Sequence, residues 1–196
     1  TDVLLEKYNV TKKEEIIALY RKNELTIREY IKCGLESLNV SKEEYVETLK
    51  QNVKVDKTFQ HFLDTGFDYR IVSAGANLNV LASLQGNNIY IQENKIISNK
   101  LIFTNNKITV ENPYLDESGY YGVDKGAIVK EFKEKGRRVI YIGDGPSDYE
   151  AARQADYVFA RSQTRLVKFC NDEKIDFSEF GNFIEVIEEY KDKLEK

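Results

Sequence analysis

The 196-residue sequence has no methionine, a single histidine and only two cysteines. A chain that starts Thr1-Asp2 has either lost its initiator or continues upstream of Thr1. Cys33 and Cys170 lie far apart, which reads as two free thiols in a reducing compartment rather than a disulfide framework, so a cytoplasmic location is expected. His61, beside Phe62 in a helical stretch, reads as a packing residue. Long apolar runs are missing, so no bilayer span is expected. A basic start followed by an apolar stretch is missing too, so no secretory leader is expected. Charge of one sign is not dominant: the net charge is -4, with 32% charged residues of both signs interspersed. That balance argues against a dedicated nucleic-acid binder, which is usually basic. The 13 tyrosines are scattered and form no aromatic ladder for bases.

What is present is enough apolar residue, 41%, for a sizeable core in one domain, or one domain with a small subdomain. The first 50 or so residues read as helices. Thr11 with Glu14 and Ser41 with Glu44 have capping-box spacing. Ile16, Ile17, Leu19 and Tyr20 supply the apolar face of one helix. Ile27, Tyr30, Ile31, Leu35 and Leu38 serve a second, and Tyr45, Val46 and Leu49 a third. Residues 1–52 are therefore expected to form a small helical bundle. Asp56 is placed to cap a helix carrying Phe59, Phe62 and Leu63, ended by Gly66.

From residue 53 onward strands and helices alternate. Expected strands are Tyr69–Val72, "NIYI", "LIFT", "KITV", "RRVIYIG" and "DYVFA". Asn105-Asn106 suits a tight hairpin, because Asn tolerates positive φ. Helices are expected at "NVLASL", at "DKGAIVKEFKEKG" with Gly136 as its stop, at "PSDYEAARQA", and near 162–172 and 182–193. The closing "YKDKLEK" reads as a solvated helix terminus. This alternation predicts an α/β fold with a Rossmann-like parallel sheet, residues 53–196. Ligands in such sheets bind at the carboxyl ends of strands.

Three motifs sit at such ends or at helix starts. "GDGPSD" places Asp144 and Asp148 on a glycine-bounded turn after an apolar strand. Glycine allows the sharp turn, and Pro146 suits the opening of the next helix. Two acids there are hard oxygen ligands of the kind Mg²⁺ takes with waters and a substrate phosphate. The competing reading is a loop with an aspartate cap. "IVSAGAN" presents Ser73 Oγ and nearby amides to an anion, or simply a capping serine. "GVDKGAIVKEF" puts Lys125 in the first turn of a helix, where a cation opposes the dipole unless an anion faces it. Alone, it also reads as a surface lysine.

Taken in order, Ser73, Lys125, Asp144 and Asp148 resemble the haloacid dehalogenase superfamily of phosphohydrolases, in its phosphoserine-phosphatase-like branch. The closing "YVFARSQTRLVKFCNDEKIDFSEFGNFIEVI" resembles the phosphatases of methionine salvage and relatives acting on phosphocholine-type substrates. The resemblance implies an α/β core with an inserted α-helical bundle cap. It implies Mg²⁺-dependent hydrolysis of a small phosphorylated metabolite through an aspartyl-phosphate. Asp144 would then be a direct metal ligand, and Asp148 would hold a metal-bound water or orient the site. Ser73 and the amides of Ala74 and Gly75 would hold the phosphoryl oxygens, and Lys125 would neutralise charge. The helical bundle would close over the site and choose the leaving group. Arg28, projecting from that bundle, is either a substrate-selecting cation or a salt-bridge partner. Neither nucleic acid nor membrane is an expected partner, and the sequence leaves oligomeric state open.

The family's first motif, Asp-x-Asp-x-Thr after an apolar strand, does not occur in these 196 residues. Thr1-Asp2 followed by "VLLEKYN" resembles what comes just after it. The favoured expectation is that the motif precedes Thr1, because its strand belongs mid-sheet and its loss would orphan strand edges. The alternative is a catalytically inactive phosphate- and metal-binding module lacking the nucleophile. A receiver-like or flavodoxin-like module is less consistent, since neither carries a helical cap.

Overall fold

The structure, a computed structural model, describes residues 1–193; the last three residues of "YKDKLEK" lie outside the described residues. Its class is α/β, as expected. The described residues form two compact units, Thr1–Val55 with Tyr69–Val123, and Asp56–Asp68 with the described residues from Asp124 onward.

The first unit contains α1 (Asp2–Tyr8), α2 (Val10–Arg21), α3 (Ile27–Glu36) and α4 (Lys42–Asn52), then β1 (Ile71–Ala76), α6 (Asn77–Gly86), β2 (Ile96–Thr104) and β3 (Lys107–Glu111). Ser41 and Glu44 form the expected capping box. The one expected at Thr11 does not form, because Asn9 already caps α2 through Lys12 N–H. A box at Thr26 and Glu29 opens α3 instead. β1 runs parallel to β2, and β2 antiparallel to β3. The hairpin joining β2 and β3 turns on Asn105 and Asn106, at φ 49° and 62°. "NIYI" forms no strand: Tyr90 is 72% exposed and Ile89 alone is buried, so no apolar face supports pairing there.

The second unit contains α5 (Phe59–Asp64), α7 (Lys125–Glu134), β4 (Ile140–Gly143), α8 (Tyr149–Gln154), β5 (Tyr157–Arg161), α9 (Arg165–Glu173), β6 (Phe177–Phe180) and α10 (Phe183–Lys193). Its strands are all parallel, in the order β4-β5-β6. Strand β6 is an element the sequence reading did not expect, in a segment whose Ser178 and Glu179 interrupt the apolar pattern. Gly66 and Gly136 follow α5 and α7 at φ 75° and 76°, where only glycine turns without strain.

Two features differ from expectation. The parallel sheet is present as two three-stranded sheets, with β1 at the edge of one and β4 at the edge of the other. The boundary between 52 and 53 does not mark a compact unit. Leu4, Leu5, Ile16, Leu35, Tyr45 and Leu49 share one core with Ala82, Ile108 and Val110, so the helices of residues 1–52 are completed by the β2–β3 hairpin and α6. Residues 56–68 pack elsewhere: Phe59 and Phe62 lie against Phe183, and Phe67 against Tyr190.

Candidate functional site

In the second unit, β4 alternates as a strand covered on both faces must. Ile140 and Ile142 pack toward Phe159, Phe180 and Val186. Tyr141 points the other way, among Val129, Ala151, Ala152 and Leu166. The strand stops at Gly143, and Pro146 opens a 3-10 turn ending at Asp148. Asp148 folds back onto this turn. Its Oδ2 accepts the N–H groups of Asp144 and Gly145, both at 2.9 Å. A Cβ on Gly143 would sit 2.8 Å from Asp148 Cγ, so this carboxylate can lie against the strand end only because residue 143 is glycine.

Lys125 opens α7, which Asp124 caps by accepting Ala127 N–H at 2.8 Å. Gly126 lets α7 approach α8, since a Cβ there would lie 2.9 Å from Glu150 Cβ. From this position Lys125 Nζ donates to Asp148 Oδ1 at 2.6 Å and to Ser147 Oγ at 3.1 Å. Tyr141 Oη donates to the same Oδ1 at 2.7 Å. Asp148 thus accepts four hydrogen bonds while only 3% exposed, and Lys125 is 8% exposed. A buried ion pair persists only when its remaining valences are met in this way.

Burial works to raise the Asp148 pKa, but the Lys125 charge and bond and the two backbone amides outweigh it, and the carboxyl stays below its ordinary value. Tyr141 is pushed well above the usual phenol range by burial and by Asp148. Asp144 is different. It opens to solvent at the turn, and its pKa is raised by partial burial and by the Asp148 charge, against the pull of Lys125 and Arg161. Its backbone oxygen accepts Leu166 N–H at 3.3 Å, which ties the turn to α9.

The donor set suits a hard cation of the Mg²⁺ kind. Such an ion takes one or two carboxylates and fills its other positions with water and phosphate. Asp144 is the accessible carboxylate for this. Asp148 has both oxygens committed, which suits orienting the turn. Among the described residues no group of three or more His, Cys, Asp or Glu side chains is gathered as a complete protein cage.

In the first unit, Ser73 lies in β1, whose register slips between Ser73 and Ala76. Its Oγ accepts Gly75 N–H at 3.1 Å, which leaves the hydroxyl hydrogen free to donate. The loop is braced by buried Asn99, which donates to Ala74 O at 2.7 Å and accepts from Asn112 at 2.8 Å. Arg28, the second residue of α3, is half-buried against Gly119 and Gly122. Its backbone N–H donates to Tyr120 O at 2.9 Å, and its Nε is buried without a hydrogen-bond partner. The loop beneath it is held by Asp116, which accepts from Ser118, Tyr120, Tyr121 and Gly122.

Of the residues expected to act, Lys125, Asp144 and Asp148 gather within the second unit. Ser73, Ala74, Gly75 and Arg28 belong to the first. Tyr141, Ser147 and Asn99 were not anticipated. Tyr141 carried one signal: a hydroxyl at a strand position where burial favours an aliphatic side chain.

No family model matches the chain. Among curated proteins, it is 28% identical over 175 residues to Pdp3-interacting factor 1 of Schizosaccharomyces pombe, covering 83% of this chain and 74% of that protein. It is 26% identical over 200 residues to a 2-hydroxy-3-keto-5-methylthiopentenyl-1-phosphate phosphatase of Bacillus thuringiensis, covering 98% of this chain and 89% of that one. Among solved structures, a phospho-aspartyl intermediate analogue of phosphoserine phosphatase superposes with a TM-score of 0.66 at 19% identity, over 96% of this chain and 90% of the other. The chain is thus similar in sequence to a curated phosphatase, and it shares its fold with phosphoserine phosphatases.

Proposed function

We propose that the protein is a Mg²⁺-dependent phosphomonoester hydrolase of small phosphorylated metabolites, working through an aspartyl-phosphate intermediate. The observation that carries this reading is Lys125: a buried ammonium at a helix start, held by Asp148 and Ser147 beside the exposed carboxylate of Asp144. A cation placed against the positive end of a helix is stabilised when an anion faces it.

Lys125 has three N–H groups, and two are engaged by Ser147 and Asp148. The third is assigned to a phosphoryl oxygen, where it offsets charge that grows in the transition state. Asp148 holds Lys125 in place and, through the amides of residues 144 and 145, sets the path of the turn. Asp144 is the residue that would hold Mg²⁺. Bound there, the ion would neutralise phosphoryl charge and orient the group for in-line attack. Ser73, with its free hydroxyl hydrogen, and the amide of Ala74 are assigned to phosphoryl oxygens on the family resemblance. The Gly75 amide, assigned the same role, is satisfied by Ser73 and would have to exchange that partner. Arg28 is assigned to the leaving group. The helical stretch 1–52 is assigned the role of cap, and residues 53–196 that of core. The nucleophile is the aspartate of the Asp-x-Asp-x-Thr motif, which these residues do not contain.

The substrate class follows the relatives: a methylthiopentenyl phosphate or phosphoserine is the first choice. Cys33 is exposed, Cys170 is buried, and both are free, in keeping with a cytoplasmic setting. No described helix is long and apolar enough to cross a membrane.

Hydrolysis of p-nitrophenyl phosphate by the full-length gene product, with and without Mg²⁺, tests this reading. Metal-dependent turnover is expected. A product with no such turnover on any phosphomonoester overturns it. The second reading is a phosphate- and metal-binding module without catalysis, kept because these 196 residues contain no Asp-x-Asp-x-Thr motif. The intact mass of the natural protein and the coding sequence upstream of Thr1 decide between the two.

A further inference from the structure

The phenol of Tyr141 has no part in the functional reading above, yet it is placed where it can act on it. Its buried neighbours on the covering helices are aliphatic: Val129 on α7, Ala151 and Ala152 on α8, and Leu166 on α9. A strand residue facing those helices needs no hydroxyl, and a buried hydroxyl without a partner is costly. Tyr141 is only 9% exposed, and its Oη donates to Asp148 Oδ1 at 2.7 Å. The same oxygen accepts from Lys125 Nζ at 2.6 Å. One carboxylate oxygen is thus shared by a neutral donor on β4 and a charged donor on α7.

We infer that Tyr141 is a positioning residue that meters the hold of Asp148 on Lys125. A carboxylate oxygen that already accepts one strong hydrogen bond offers less charge to a second donor. With the phenol in place, the Lys125 ammonium is steadied but not captured, and its third N–H stays available to an anion. Without it, the full charge of Oδ1 falls on Lys125 and draws the ammonium into the turn, away from a bound phosphoryl group. Oδ2 cannot compensate, because the amides of Asp144 and Gly145 already occupy it. The inference deepens the phosphatase reading and rests on it.

Tyr141→Phe keeps the ring that packs on α7 and α8 and removes only the donor. In the full-length protein with Mg²⁺, inorganic phosphate is the probe, followed by calorimetry and by inhibition of p-nitrophenyl phosphate turnover. The net worth of one ordinary hydrogen bond sets the scale of the effect, because the phenol acts on phosphate only through Lys125. Phosphate affinity is expected to fall about five- to tenfold, and kcat/KM by a similar factor. The discriminating measurement is the cycle with Lys125→Ala. If Tyr141 acts through Lys125, adding Tyr141→Phe to Lys125→Ala weakens phosphate no further. Additive losses mean a general packing role and overturn the inference, as does a Tyr141→Phe protein that binds phosphate within twofold of wild type. Wild-type protein that neither binds phosphate nor turns over substrate overturns the phosphatase reading instead. Should Tyr141→Phe not fold, 3-fluorotyrosine at position 141 keeps the ring and strengthens the donor. Phosphate affinity is then expected to hold or rise, and a fall overturns the inference.

Discussion

At the scale of single residues, charge burial decides most of the behaviour of the site. Lys125 and Asp148 neutralise one another in a place where neither would be tolerated alone. Lys125→Ala leaves Asp148 ionised and buried with its main partner gone. Unfolding in urea should show a loss of about 3–5 kcal/mol, the cost of breaking a buried pair from one side. Turnover should fall about 10²–10³-fold, as for the loss of one preorganised donor to transition-state charge. Gly143→Ala acts by volume. Its methyl would lie 2.8 Å from both Cγ and Oδ2 of Asp148. The carboxylate is fixed by four donors, so the strand end must give way, at about 1–3 kcal/mol of stability. Activity should drop more than the stability loss alone explains, which turnover measured well below Tm will show.

At the scale of elements, the loop of residues 116–122 shows how one carboxylate can stand in for secondary structure. Asp116 is 8% exposed and accepts three backbone N–H groups and the Ser118 hydroxyl. Burial opposes its ionised form, but Ser118 and those amides outweigh it, so its pKa lies below the ordinary 3.8. A carboxyl with a depressed folded pKa stabilises the protein above its unfolded pKa. That stability is complete above about pH 5 and is lost as pH falls through the lower folded value. Urea unfolding of the wild type should therefore weaken with acid in that window. Asp116→Asn should be less stable at neutral pH and lack this part of the acid dependence. The same loop carries Gly122, where a Cβ would stand 3.2 Å from Arg28 Cγ, so the loop and α3 are fitted to each other.

At the scale of the whole molecule, the functional reading depends on a metal that few protein ligands hold. With Asp144 as the accessible carboxylate, binding should be weak without phosphate and stronger with it, because the substrate completes the coordination. Chelation should abolish turnover by the full-length protein, and added Mg²⁺ should restore it. Mg²⁺ with inorganic phosphate should raise Tm more than either alone, since ligands that bind only the folded state stabilise it by mass action. Equal effects of the two ions, each independent of the other, would contradict a shared site.

Local chemistry was legible in the sequence wherever a residue's preference is set by its own backbone. Ser41 with Glu44, the glycines at 66 and 136, and the Asn105-Asn106 turn all form as their residue types require. The positions of Asp144 and Lys125, at a strand end and a helix start, were legible for the same reason. Competition between neighbours was less so: Asn9, two residues upstream, displaced the cap expected at Thr11. What the sequence alone determined was which residues could carry charge at which element ends. Only the tertiary structure decided that Lys125 and Asp148, 23 positions apart, share a desolvated site with Tyr141, and that Asp144 remains open. The reason is that hydrogen-bond geometry and burial depend on how α7, α8 and β4 pack, and no local preference encodes that packing.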